Sequence, residues 1–127
     1  MTTTHNAIAW FEIPVRNLDR AAAFYEALLG TTIRREAIGP STLGVFTYDG
    51  EQGVGGCLLA GDNVPAPSLD GSLVYLNAGP SLDVVVARVE AAGGRVLVPK
   101  VILPGEMGCF VHIADTDGNR VGLHALA

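Results

Sequence analysis

Residues 10–33, WFEIPVRNLDRAAAFYEALLGTTI, return in altered form at residues 73–96, LVYLNAGPSLDVVVARVEAAGGRV. Leu18 aligns with Leu82, Asp19 with Asp83, Glu26 with Glu90 and Gly30 with Gly94, each pair 64 residues apart. The strand positions ahead of each helix fit better at 63, so the second copy gains one residue in its loop. A repeat of that length marks one supersecondary unit used twice, each copy too small to close a core alone. Function is therefore expected where the two copies face each other.

Both copies carry the same local signals. Residues 7–15 read as a strand, rich in β-branched and aromatic side chains and closed by Pro14, which ends the pairing or sits at an edge. Asn17 is placed to cap the helix that follows. Leu18, Ala21, Ala22, Tyr25, Leu28 and Leu29 then form an apolar stripe at helical spacing, and Gly30 supplies the left-handed residue after it. Three strands follow, at 31–36, 44–48 and 56–60, separated by turn-forming breaks at 38–41 and 49–53. Residues 61–71, GDNVPAPSLDG, have no periodicity and read as a linker.

The second half repeats this order. It predicts a strand at 73–77, a helix capped by Ser81 and running through Ala92, and strands at 95–99, 109–114 and 120–126. Residues 101–108 read as a loop around Pro104-Gly105, and 115–119 as a turn. The fold class is thus α+β: two tandem βαβββ modules, 7–60 and 72–127, whose curved mixed sheets form a cleft. The strands are too consecutive for a doubly wound parallel sheet. A single ferredoxin-like sheet is the alternative, but it leaves the extra strands of each half unused.

At 127 residues the chain is one domain, and its 49% apolar content is enough for a core. Only 17% of residues are charged, which favours a surface partly covered by a second copy, hence a homodimer. A net charge of −5 argues against nucleic acid, which needs clustered Lys and Arg. No segment approaches the ~20 apolar residues of a membrane span, and residues 1–10 do not read as a signal peptide. A cytoplasmic location is expected. Cys57 and Cys109 have no metal-like spacing and are read as free thiols, although a disulfide joining the halves is open on sequence alone.

The run Pro14-Val15-Arg16-Asn17-Leu18-Asp19-Arg20 with Phe24-Tyr25, the segment 87–94 (ARVEAAGG) and the turn Asp115-Thr116-Asp117-Gly118-Asn119-Arg120 together resemble the vicinal oxygen chelate superfamily. That superfamily holds glyoxalase I, bleomycin-resistance and extradiol-dioxygenase proteins. The start WFEIPV and the end GNRVGLHA are similar to its lactoylglutathione-lyase-related branch. The resemblance implies paired βαβββ modules around a cleft holding a divalent metal, ligated by His or Glu from the first and fourth strands of each module. Here those positions carry Trp10, Leu73 and Gly122, with Cys57, Leu58 and Leu59 in the remaining strand. No lone pair suited to a hard or borderline cation is offered by Trp, Leu or Gly, so no metal cofactor is expected at the usual positions.

Strand parity groups Glu12 with Trp10, Tyr75 and Asn77 with Leu73, and Arg120 and His124 with Gly122. Glu12 and His124 are the candidate catalytic pair; Trp10, Cys57, Tyr75, Asn77 and Arg120 are the candidate ligand-binding residues. Each has a structural alternative: an ion pair for Glu12 with Arg16 or Arg120, a hydrogen-bonded structural His124, a strand-end role for Asn77, a buried small hydrophobe for Cys57 and Cys109. His112 lies in a strand of undetermined facing and His5 in the terminal segment, while Lys100 and Glu106 flank the Pro-Gly loop. The leading expectation is a small, largely apolar ligand bound without metal. The alternatives are a lyase- or isomerase-like enzyme using Glu12 and His124, as acid and base or as irregular metal ligands, and a module acting only through its dimer surface.

Overall fold

In a computed structural model, residues 6–127 are described; His5 lies outside them. The first module comprises β1 (Phe11–Pro14), α1 (Leu18–Leu29), β2 (Arg34–Ile38), β3 (Ser41–Val45) and β4 (Gly56–Gly61). The second comprises β5 (Tyr75–Asn77), α2 (Leu82–Val86), α3 (Val89–Ala92), β6 (Arg95–Ile102), β7 (Cys109–Ala114) and β8 (Arg120–Ala125). Each module forms one four-stranded mixed sheet, in the order β1-β4-β3-β2 and β5-β8-β7-β6. The first and last strands of each module run parallel and the other pairs antiparallel. The fold is α+β with tandem βαβββ modules, as the repeat requires.

The helix α1 forms where the apolar stripe predicted it. Asn17 is its N-cap, accepting from the Arg20 N–H at 3.0 Å, and Gly30 closes it at φ +69°. The matching helix of the second module is broken. Ser81 makes no side-chain cap, and the segment divides into α2 and α3 around residues 87–88. Three consecutive valines, Val84 to Val86, resist helical χ1 freedom and weaken the run.

Both helical layers bury their stripes in one core. Phe24, Tyr25 and Leu28 of α1 meet Leu58, Leu82, Val89, Ile113 and Leu123, all at most 1% exposed. A second, smaller cluster of Leu43, Val45 and Cys57 occupies the opposite face of the first sheet. Two strand boundaries differ from the sequence reading. The β2–β3 hairpin turns over Gly39 and Pro40 alone, so Ile38 and Ser41 pair and β3 ends at Val45 rather than residue 48. β6 continues to Ile102, with register shifts between Val96 and Val98 and between Val98 and Val101 that take Pro99 into an edge strand. Both cysteines are free and buried. Among the described residues no helix is long and apolar enough to cross a membrane.

Candidate functional site

The two modules meet at two places related by the repeat. At the first, the β7–β8 turn seats on the start of α1. Asp115 is 6% exposed, and its Oδ1 accepts from the N–H groups of Asp117 (2.8 Å) and Asn119 (2.9 Å) while its Oδ2 accepts from the Tyr25 hydroxyl (2.7 Å). Asn119 donates from Nδ2 to the Pro14 carbonyl at 2.8 Å, tying the turn to the end of β1. Asp117 accepts from the backbone N–H groups of Arg16 (2.6 Å) and Asn17 (3.1 Å) and pairs with Arg20 at 3.0 Å. Burial pushes the Asp117 carboxyl up, but these N–H donors and the Arg20 guanidinium outweigh it and hold the group below the usual carboxylate range. Burial first, and then the Asp115 charge, raises the Tyr25 phenol well above its ordinary value, so it stays a donor. The turn that resembled a family signature is therefore a structural staple.

At the second place the staple is absent. The equivalent β3–β4 turn, beginning at Asp49, and the start of α2 border a cavity of about 750 Å³. Its walls are mainly apolar: Phe11, Leu29, Phe46, Tyr48, Val84 and Val85. Thr31, Asn77, Ser81 and Arg88 bring polar groups to it. Of the residues singled out in the sequence, Tyr75 and Asn77 line this cavity. Asn77 also holds the strand end, its Oδ1 accepting from Gly79 N–H at 2.9 Å. Glu12 and Arg120 instead line a separate pocket of about 400 Å³ beside the linker.

The sheet faces turned away from the helices carry the other candidates. Glu12 is in register with Cys57 on the outer face of the first sheet. Burial, then the Glu12 charge, push the Cys57 thiol up to about 11 against the opposing effect of the Trp10 indole, so it is a poor nucleophile at neutral pH. Trp10 packs edge-on against Tyr48, ring centroids 6.0 Å apart. On the outer face of the second sheet, His124 Nε2 donates to the Met107 carbonyl at 2.7 Å, which leaves only Nδ1 to accept a proton. Glu12 and His124 thus stand on outer faces of different sheets.

His112, whose facing the sequence left undetermined, lies on that second outer face in register with Gly122. Its Nε2 is 2.7 Å from the Tyr75 hydroxyl and its Nδ1 is 3.4 Å from Arg120 Nη1. An arginine has no acceptor, so Nδ1 must accept and the Nε2–H donates to Tyr75. Burial, then the Arg120 charge, lower the His112 pKa and keep the ring neutral. No sequence signal for this trio existed beyond strand parity, because the irregular β6–β7 pairing hid the facing of β7. Lys100 pairs with Asp83 at 3.2 Å, and Glu106 is exposed in the β6–β7 loop.

The metal implied by the resemblance does not fit these residues. The expected ligand position on β8 is Gly122, where any side chain would collide with the Tyr75 ring. The others hold an indole, a protonated thiol or a leucine, and among the described residues no three His, Cys, Asp or Glu side chains converge as a metal site.

Residues 7–123 match the family model of the Glyoxalase/Bleomycin resistance protein/Dioxygenase superfamily. CFP32, named as a glyoxylase, of Mycobacterium bovis and Mycobacterium tuberculosis is 29% identical over 111 residues, 87% of this chain and 41% of that protein. The chain thus spans less than half the length of these relatives. A glyoxylase/bleomycin resistance protein/dioxygenase domain from Frankia sp. EAN1pec superposes with a TM-score of 0.71 at 20% identity, covering 96% of this chain and 98% of that one. The trypanothione-dependent glyoxalase I of Leishmania major superposes at 0.69 and 20% identity, covering 95% and 87%. On the family match, and on the tandem βαβββ frame these structures share, the chain belongs to the Glyoxalase/Bleomycin resistance protein/Dioxygenase superfamily.

Proposed function

We propose that this glyoxalase-like protein binds a small, largely apolar molecule at the open junction between its modules, without a divalent metal at the family's usual positions. The observation that carries the reading is the cavity of about 750 Å³, with aromatic and aliphatic walls and a few polar groups aimed into it. Small-molecule sites have this composition, since apolar area supplies affinity and scattered polar groups fix orientation. The test is a titration of methyl 2-naphthoate into protein purified without chelator, with metal content of the same sample measured by mass spectrometry. Saturable binding at far less than one metal per chain is expected. Binding that appears only after nickel, zinc or manganese is added would overturn the metal-free reading.

An acid–base enzyme built on Glu12 and His124 is the second reading. The two side chains would address one substrate only across a homodimer in which the first sheet of one copy faces the second sheet of the other. Such a dimer is in keeping with the low surface charge and the half-exposed Trp10 and Tyr75. If a turnover is found, Glu12→Gln and His124→Ala must each abolish it; unchanged rates would remove both roles.

A further inference from the structure

Among the described residues, Arg88 is the one cation lining the open cavity, at the junction of α2 and α3. It is half-buried and makes no ion pair within 4 Å among the described residues. Its Nη1 donates to the carbonyl of Leu28 at 3.2 Å, beside Gly30, which caps the C-terminus of α1. A cation there complements the negative end of the helix dipole, which explains how the charge is tolerated. That contact uses one donor of the guanidinium fork, and among the described residues the other donors have no partner. The nearby carboxylates make no pair with Arg88: Asp49, which also lines the cavity, accepts from Glu51 and Gln52 N–H groups, Asp83 pairs with Lys100, and Glu90 is exposed.

We propose that the ligand of this cavity is a carboxylate with an apolar, aryl-sized body, its acid group paired with Arg88. The proposal presupposes that the cavity is the ligand site. A guanidinium is weakly hydrated and presents a planar fork that matches a carboxylate in two parallel hydrogen bonds. In a cavity whose walls include Phe11, Phe46, Val84 and Val85, it attracts an anion more strongly than the same charge in open water. Thr31 and Ser81 line the same cavity and can complete the acid's hydrogen bonds. The body of the ligand then occupies the apolar walls.

The test compares 2-naphthoate with its neutral methyl ester as probes of the wild type, Arg88→Gln and Arg88→Lys. Glutamine keeps a donor for the Leu28 carbonyl and removes the charge. The wild type is expected to bind naphthoate about tenfold more tightly than the ester. Arg88→Gln should lose that preference, weakening naphthoate about tenfold more than the ester, and Arg88→Lys should retain part of it. Equal wild-type affinity for the two probes would overturn the carboxylate assignment while leaving the cavity in place. So would an Arg88→Gln variant that weakens both probes alike, since Arg88 would then only support the wall. If neither probe binds, the cavity reading fails and this proposal with it.

Discussion

The two junctions between the modules are built from the same repeat and end in opposite states. On the closed side, Arg16, Asn17, Arg20 and Tyr25 of the first module receive the β7–β8 turn. At 64 residues' offset the open side has Pro80, Ser81, Val84 and Val89. Proline has no N–H to offer an incoming carboxylate, and a valine side chain can neither pair with one nor donate to it. The turns themselves are alike: Asp49 Oδ1 gathers the N–H groups of Glu51 and Gln52 as Asp115 gathers those of Asp117 and Asn119. What differs is the surface each turn meets. One joint of the repeat is stapled and the other is open, leaving an apolar hollow edged by the 52% exposed Val84.

Breaking the closed joint should have the largest effect. Asp117 has a fully covered side chain, and Asp117→Ala removes the acceptor of the Arg16 and Asn17 N–H groups, at a cost of about 2–3 kcal/mol in urea unfolding. Most of that loss belongs to the backbone donors, because Arg20 is half exposed and its ion pair is screened. Tyr25→Phe removes the buried bond to Asp115 and should cost about 1–2 kcal/mol by the same measurement. On the open side Asp49→Ala should change stability by less than about 1 kcal/mol, since its turn is exposed. Equal losses at Asp117 and Asp49 would erase the contrast between the joints.

The same contrast has a pH signature. The folded pKa of Asp117 is depressed, so the staple's stabilisation is complete above the ordinary aspartate value and is lost as pH falls through the lower folded value. Wild-type stability should therefore fall in that acidic window, and Asp117→Asn should flatten that part of the profile. A profile unchanged by the substitution would mean that the carboxylate is not what the joint depends on. The smallest effect concerns Cys57. With its thiol pushed up to about 11, alkylation by iodoacetamide near neutral pH should be far slower in the folded protein than after unfolding, and fast folded-state labelling would contradict its burial.

Much of the frame was legible in the residues. The repeat gave the two modules, Asn17 and Gly30 the ends of α1, and strand parity the alignment of Tyr75 and Asn77 with Gly122 and His124. The β2–β3 boundary was not, because a tight Gly39-Pro40 turn looks in sequence like a longer break. The split of the second helix was hinted at by its valine run but hidden by the alignment with α1. Of the candidate residues, Tyr75 and Asn77 line the cavity proposed as the ligand site, Glu12 and Arg120 line the pocket beside the linker, and Trp10, Cys57 and His124 line neither. Which faces approach one another depends on how the modules dock, and periodicity within a module carries no record of that. The comparison of Arg16, Arg20 and Tyr25 with Pro80, Val84 and Val89 is where the sequence did encode the open joint, as a loss of polar partners rather than a motif.

The central claim, that the open joint is a ligand site, is tested most directly by filling it. Val84→Trp places an indole in the cavity from an exposed position that leaves the core untouched. Fluorescence titration with methyl 2-naphthoate should give saturable one-to-one binding to the wild type and at least about tenfold weaker binding to this variant, with the unfolding midpoint of both nearly equal. Binding that is unchanged in Val84→Trp, or absent from the wild type, would contradict the account.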